Sequence, residues 1–255
     1  MRFASLGSGS RGNSLVVEAG ASRVLLDCGF SAKSTLERLG RLGLAGEDIS
    51  AILVTHEHGD HVSGVFRFAS RFRIPVYLTH GTQAATTRIA DPMPQCRRVD
   101  PSSAFSVEAI EILPFAVPHD AREPVQYVFG DGKHRLGVLT DSGSITAHIV
   151  NMLRRCDALV LECNHDAELL AASDYPAMLK RRILGNLGHL ENRQAAALLA
   201  EIETRRLQHV IAAHLSERNN RPDLARTALA AALNCTPEWI GVATQEDGFG
   251  WREVA

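Results

Sequence analysis

Aromatic side chains are scarce in this chain, 5% of its residues. That scarcity argues against an extended platform on which the bases of a single strand could stack. An excess of charge of either sign is also missing: 27 Lys and Arg face 29 Asp and Glu, for a net charge of −2. The chain as a whole exerts no pull on nucleic acid, so any polyanion binding must come from local patches or bound cations. Cysteine is limited to 5 residues, Cys28, Cys96, Cys156, Cys163 and Cys235, with no C-x-x-C pair. An odd, scattered set argues against a disulfide framework and points to a reducing compartment. No stretch of about 18 apolar residues is present, and Met1 to Gly9 lacks the apolar centre of a secretory signal. A soluble, cytoplasmic protein that engages no membrane is the expectation.

What the chain does have is a regular alternation of short apolar runs and helical patterns. Asn13 to Glu18 and Arg23 to Asp27 read as a hairpin across Ala19-Gly20-Ala21-Ser22. Ser34 to Leu42 has helical spacing, Ile49 to Thr55 reads as a buried strand, Val62 to Phe72 as a helix and Ile74 to Thr79 as a strand. Further strands are expected at 104–114, 125–129, 135–140, 158–162 and 209–213, with helices at 145–155, 191–203 and 222–233. Residues 239–244 and 248–254 read as a closing pair of strands. Strands in both halves with helices outside them predict an α/β fold, a four-layer αββα sandwich. A length of 255 residues buries a core without staples, and a single domain over 1–255 is expected.

The most informative stretch is His56-Glu57-His58-Gly59-Asp60-His61, directly after the apolar run Ala51-Ile52-Leu53-Val54. Three imidazoles and a carboxylate at the end of a strand read most simply as the rim of a metal site, since these donors suit zinc and neighbouring transition metals. Three more metal-competent residues end apolar segments: His119 after Phe115 to Pro118, Asp141 after Leu136 to Thr140, and His214 after Val210 to Ala213. Any of them alone reads as an ordinary polar residue at a strand end. Together with the main motif they suggest loops converging at one sheet edge.

The combination Leu26-Asp27-Cys28-Gly29, Thr55 to His61, Pro118-His119-Asp120, Leu139 to Gly143 and Ala213-His214-Leu215 resembles the metallo-β-lactamase-fold hydrolase superfamily over nearly the whole chain. Gly7 to Asn13, Glu162 to Asp166, Gly188-His189-Leu190 and His214-Leu215-Ser216 with Asn219-Asn220 are similar to its YycJ/WalJ-type subfamily. The resemblance implies two divalent metal ions, with zinc expected and manganese or iron as alternatives. His56, His58 and His119 would hold the first; Asp60, His61 and His214 the second; Asp141 would bridge them. Two such ions lower the pKa of a shared water and clamp the attacking and leaving oxygens, and Asp60 would orient that hydroxide as a catalytic residue. An Asp at the bridging position resembles the hydrolases of phosphodiesters and thioesters, whereas lactamases of the superfamily commonly carry Cys there. Asp27 reads as a brace, and Cys28 and Cys163 as buried structural thiols.

The implied function is a phosphodiesterase acting on DNA ends, 5′-to-3′ exonuclease-like. A cyclic phosphodiesterase or a glyoxalase II-type thioesterase is the alternative, and a non-catalytic metal-binding module a further one. Local features fit a polyanion. The loop Gly7 to Asn13 offers glycine amides, Ser8, Ser10, Arg11 and Asn13 as a phosphate cradle, or is a plain tight turn. His165 and His189 are candidates to protonate a leaving alkoxide, or are structural histidines. Ser216, Arg218, Asn219 and Asn220 read as phosphate contacts or as the start of a helix at Pro222. The pairs Arg97-Arg98, Arg154-Arg155, Lys180-Arg181-Arg182 and Arg205-Arg206 are candidate backbone contacts or solvated faces.

Overall fold

The computed structural model describes residues 1–86 and 94–255. Its chain builds two seven-stranded mixed sheets. The first takes β1 (Arg2–Gly7), β2 (Ser14–Ala19), β3 (Ser22–Leu26), β4 (Ala51–Leu53), β5 (Val76–Thr79) and β6 (Cys96–Val99). The second takes β7 (Phe105–Val107), β8 (Ile110–Ala116), β9 (Val125–Gly130), β10 (Arg135–Leu139), β11 (Ala158–Glu162), β12 (His209–Ala213) and β13 (Gly241–Val242). The last strand, β14 (Phe249–Glu253), returns to the first sheet and pairs antiparallel with β1.

Side chains of β2 and β3 show why the sheets lie face to face. Leu15, Val17, Val24 and Leu26 point into one core, which they share with Ile112, Tyr127, Phe129, Val138 and Val160 of the second sheet. Val16 and Leu25 point the other way and pack under α1 (Ala32–Arg41) and α3 (Val65–Phe72) through Leu39, Phe66 and Phe68. The far face of the second sheet is covered through α5 (Ala147–Leu153), α8 (Asn192–Glu201) and α9 (Pro222–Leu233), with Ile149, Leu198 and Leu229 against Leu159, Leu161 and Val210. Strands buried on both faces read as continuous apolar runs, which is the pattern of Ala158–Glu162 and His209–Ala213. The expected αββα layering follows.

Several boundaries differ from the sequence expectations, each for a local reason. The strand expected over 49–55 is cut to Ala51–Leu53, because Thr55 and His56 leave the ladder for the loop. The helix expected over 62–72 breaks into α2 (Gly59–Val62) and α3. At the break Gly64 presses on the Phe30 carbonyl, where an added Cβ would stand only 1.9 Å away. The strand expected over 104–114 is a hairpin, β7 to β8, turning at Glu108 with φ of 51°. β8 runs on through Pro114, which lies beyond the stretch paired with β7, so its missing N–H costs no bond on that side. β1, β6 and the helices α4 (His80–Thr86), α6 (Ala167–Ala172) and α7 (Ala177–Leu184) had no counterpart in the sequence reading.

The topology brings the loops together. β3, β4 and β5 are parallel, as are β10, β11 and β12. Parallel strands deliver their C-terminal ends to one edge, where ligands of α/β sheets collect. Asp27 and His214 directly follow such a strand and Asp141 comes one residue later, after Thr140; all three adopt left-handed backbone, φ 57°, 53° and 51°. Three non-glycine residues in that region at one edge mark a functional site rather than a packing accident.

Candidate metal centre

His56, His58 and His119 turn three ring nitrogens toward one point. His56 Nε2 lies 3.0 Å from His58 Nδ1, and His58 Nδ1 lies 3.3 Å from His119 Nε2. A tetrahedral ion with bonds of about 2.0–2.1 Å to nitrogen implies edges of roughly 3.3 Å between its ligands. The outward nitrogens are engaged elsewhere. His119 Nδ1 donates to the Gly188 carbonyl at 3.1 Å, and His56 Nδ1 lies 3.0 Å from Thr55 Oγ1. With the His119 N–H committed outward, its Nε2 lone pair faces the cluster, as a metal ligand requires.

A second group adjoins the first, with the His56 and His61 ring centroids 4.2 Å apart. His61 Nε2 lies 3.4 Å from Asp60 Oδ2 and 3.2 Å from Asp141 Oδ2; His214 Nε2 lies 3.5 Å from Asp60 Oδ2 and from Asp141 Oδ1. Both rings are braced from behind. His61 Nδ1 meets Asp27 Oδ2 at 2.8 Å, and His214 Nδ1 meets Glu162 Oε1 at 3.2 Å. Asp27 also takes the Thr55 amide and hydroxyl, both at 2.8 Å, so β3 and the end of β4 are tied through it. Gly29 completes the packing: an added Cβ would stand 1.8 Å from the Asp60 carbonyl oxygen, so only glycine lets this loop approach.

The donor set fits divalent cations. Asp141 Oδ2 is buried and has no hydrogen-bond partner, although His61 Nε2 is close. Two groups that approach without bonding each other, in a pocket of imidazoles and carboxylates, are what ligands of a common ion look like. Both sets of four or fewer donors, His56/His58/His119 and Asp60/His61/Asp141/His214, lie within 4.8 Å internally.

Charge balance in the protein alone follows from burial and neighbours. Burial and the adjacent His61 keep His56 far below the ordinary imidazole range, and burial lowers His119 as well. For His61 burial acts the same way, but Asp141, Asp27 and Asp60 outweigh it and hold the ring well above that range. Burial likewise opposes a charged His214, yet Asp141, Asp60 and Glu162 raise it to about 10. Asp60 and Asp141 sit well below the usual carboxylate range, the histidines overcoming the cost of burial.

Glu162 is a site residue the sequence reading missed. It is fully buried, and its oxygens accept from His189 Nδ1 (2.8 Å), His214 Nδ1 (3.2 Å), the Ser142 amide (2.9 Å) and the Leu190 amide (3.2 Å). With four donors occupied it acts as a brace. Burial raises its pKa, but His189 more than offsets this and the carboxyl falls to about 2. The signal is present in the sequence, since Glu162 ends the apolar strand β11 as Asp and His residues end the others.

The two histidines named as proton donors separate. His189 keeps some exposure, with Nδ1 held by Glu162 and its ring 5.3 Å from that of His214. Against the effect of burial, Glu162 raises its pKa. His165 is 1% exposed, burial pushes it down to about 4, and its Nε2 has no partner.

The glycine loop is spent internally rather than presented as a cradle. Gly9 N–H goes to Asn13 Oδ1 (2.8 Å), Arg11 N–H to Gln245 Oε1 (2.8 Å), Gly12 N–H to the Gly9 carbonyl and Ser8 N–H to the Thr244 carbonyl. Arg11 lies between Glu217 and Glu246, at 2.5 and 2.6 Å. Ser8 Oγ accepts the His214 amide at 2.8 Å, and Asn13 Nδ2 stands 3.1 Å from both Asp60 Oδ2 and His61 Nε2. These two position the cluster. Ser10 is exposed. Asn220 is saturated by Asn192 and the Cys163 carbonyl, whereas Ser216 Oγ accepts from the Asn219 amide and Asn219 Oδ1 is buried without a partner. Cys28 and Cys163 are fully buried, and burial pushes the Cys28 thiol up to about 12.

Comparison with known proteins agrees with this geometry. A family model described as "Beta-lactamase superfamily domain" matches residues 22–210. The chain is 36% identical to "Exodeoxyribonuclease YycJ" of Bacillus anthracis, over 100% of this chain and 93% of the relative. It is 32% identical to "Exodeoxyribonuclease WalJ" of Streptococcus pneumoniae serotype 2, over 94% of this chain and 91% of the relative. Among solved structures, the metallo-beta-lactamase fold protein YhfI from Bacillus subtilis superposes with a TM-score of 0.73 at 15% identity, over 99% of both chains. At that identity the likeness speaks for the fold alone.

Proposed function

This chain belongs to the beta-lactamase superfamily domain family, alongside relatives named exodeoxyribonucleases, and from that premise we propose that it removes nucleotides from DNA ends as a 5′-to-3′ exonuclease with two divalent ions. The observation that carries the reading is the pair of adjoining donor clusters, His56/His58/His119 and Asp60/His61/Asp141/His214, in a chain alignable end to end with proteins named exodeoxyribonucleases. His56, His58 and His119 would hold one ion, Asp60, His61 and His214 the other, and Asp141 both. Imidazole-rich donors of this kind favour zinc, with manganese the competitor. Bound ions supply Lewis acidity to the phosphoryl oxygens and lower the pKa of a water to a useful range.

The chain's own residues do the rest. Asp60 is the carboxylate best placed to orient a water, since its Oδ2 faces both His61 and His214. Asn13 steadies that oxygen from behind at 3.1 Å. His189 is the proton donor to the leaving alkoxide: Glu162 fixes its Nδ1 and favours its charged form, and the ring retains access to solvent. His165, buried and neutral, serves the packing of the loop instead.

Cleavage of a linear duplex labelled at its 5′ or 3′ end, with zinc or manganese supplied, tests the reading. Stepwise release of labelled mononucleotide from the 5′ end is expected. Release from the 3′ end alone, or internal nicking without end preference, would overturn the assigned polarity.

A further inference from the structure

Among the α-helices of the described residues, α7 alone buries none of its side chains. Met178 (76% exposed), Leu184 (58%) and Leu187 (54%) on and just after it are the most exposed large apolar residues described. Yet the segment is fastened to the metal cluster. The Leu187 carbonyl accepts the Asp120 amide at 3.0 Å, the Gly188 carbonyl takes His119 Nδ1, and the Ile183 carbonyl takes the His189 amide at 3.0 Å. Arg182 Nε adds a bond to Asp120 Oδ2 at 2.6 Å. A helix held this firmly while turning its apolar residues outward is built to meet something.

Between α7 and the cluster lies a cavity of about 170 Å3. Tyr175, Leu179 and Ile183 line it with apolar surface, Ser10, Asn164 and Ser216 add polar groups beside the Asp120–Arg182 ion pair, and His189 connects it to the metal side. Cavities of ~150 Å3 accept a benzene-sized ring, so the space suits one flat heterocycle and not a duplex end. Its occupant must combine a flat face for Tyr175 with an anion for the cluster next door.

Resting on the nuclease reading above, we infer that this cavity receives the base of the nucleotide being released, unstacked from the end of the duplex. The phosphodiester that joins it to the strand then lies over the metal cluster, within reach of His189. Leu184 and Leu187 sit at the exposed edge of the same segment, where apolar side chains replace the stacking partner that the terminal base loses. Stacking on one tyrosine tolerates every base, so the cavity selects a terminal nucleotide without selecting its sequence.

The test compares single-turnover cleavage of two duplexes, one with an intact terminal nucleotide and one whose terminal residue is abasic. Wild-type protein is expected to cleave the intact end roughly 10-fold faster, the size of one base–aromatic stack. Tyr175→Ala should slow the intact end by about that factor and leave the abasic end unchanged, while Tyr175→Phe keeps the preference. Equal wild-type rates on both ends would overturn the inference and leave the nuclease reading standing. Losses that multiply, with Tyr175→Ala slowing the abasic end as well, would also overturn it. Metal-loaded wild-type protein that cleaves neither duplex would overturn the nuclease reading and this inference together.

Discussion

Oδ2 of Asp27 lies 2.8 Å from Nδ1 of His61, on the side of the ring away from Asp60 and Asp141. The carboxylate therefore draws a proton to Nδ1 and leaves Nε2 free to face the cluster. Asp27 is also one of the strand-end residues in left-handed backbone, φ 57°, so the fold accepts local strain to place it. Asp27→Asn keeps the shape but offers an amide where a carboxylate had been. Metal affinity, read by competition with a chromogenic chelator, should fall by roughly 10–100-fold. Unchanged affinity would remove Asp27 from the site.

Glu162 supports two rings at once, so its loss should be felt in turnover as well as in binding. Glu162→Gln retains an acceptor for one histidine but loses the charge that favours protonated His189. A fall in kcat of roughly 10–100-fold, with KM little changed and the acidic proton donor's limb of the pH profile moved to lower pH, is the expected result. A pH profile identical to that of the wild type would show that Glu162 only fills space.

Removing the metals should expose the site's own titration. His61 is raised well above its ordinary value and His214 to about 10. Groups raised on folding stabilise fully below their unfolded pKa of about 6.5 and lose that contribution as pH climbs through the folded value. Asp60 and Asp141 are lowered, so their contribution is present above about 4 and lost as pH falls. The metal-free protein should thus lose melting temperature between about pH 7 and 10, a window set by His214. Metal-loaded protein, with those nitrogens bound to ions, should be flatter over the same range. Parallel curves for both forms would contradict this protonation scheme.

Much of the architecture was legible in the sequence because buried strands such as Ala158–Glu162 and His209–Ala213 are uninterrupted apolar runs. β1 was not, since Arg2-Phe3-Ala4-Ser5-Leu6-Gly7 is short, mixed and stabilised by a partner at the far end of the chain. α7 was not read either: it is a short helix of 8 residues, none of them fully buried, beside the longer α8 and α9. The seven metal-competent residues could be picked out because each lies at or just beyond the end of an apolar strand. Their supports could not. That Ser8 would hold the His214 amide, or that Gln245 would fill the glycine loop, depends on contacts between residues more than 200 positions apart. The internal partners of the glycine-loop amides were equally hidden, because composition gives the donors but not the acceptors that engage them.

Asp141 offers the most direct test, as the residue proposed to hold both ions. Metal content and duplex cleavage should be measured on the same preparations of wild-type protein and Asp141→Ala. The wild type should hold about two ions per chain, and the variant should lose at least one of them. Its turnover should fall by more than the ~100-fold typical of losing an outer support, with its metal-free melting still cooperative. An Asp141→Ala protein that keeps its ions and cleaves DNA at the wild-type rate would contradict the two-metal site.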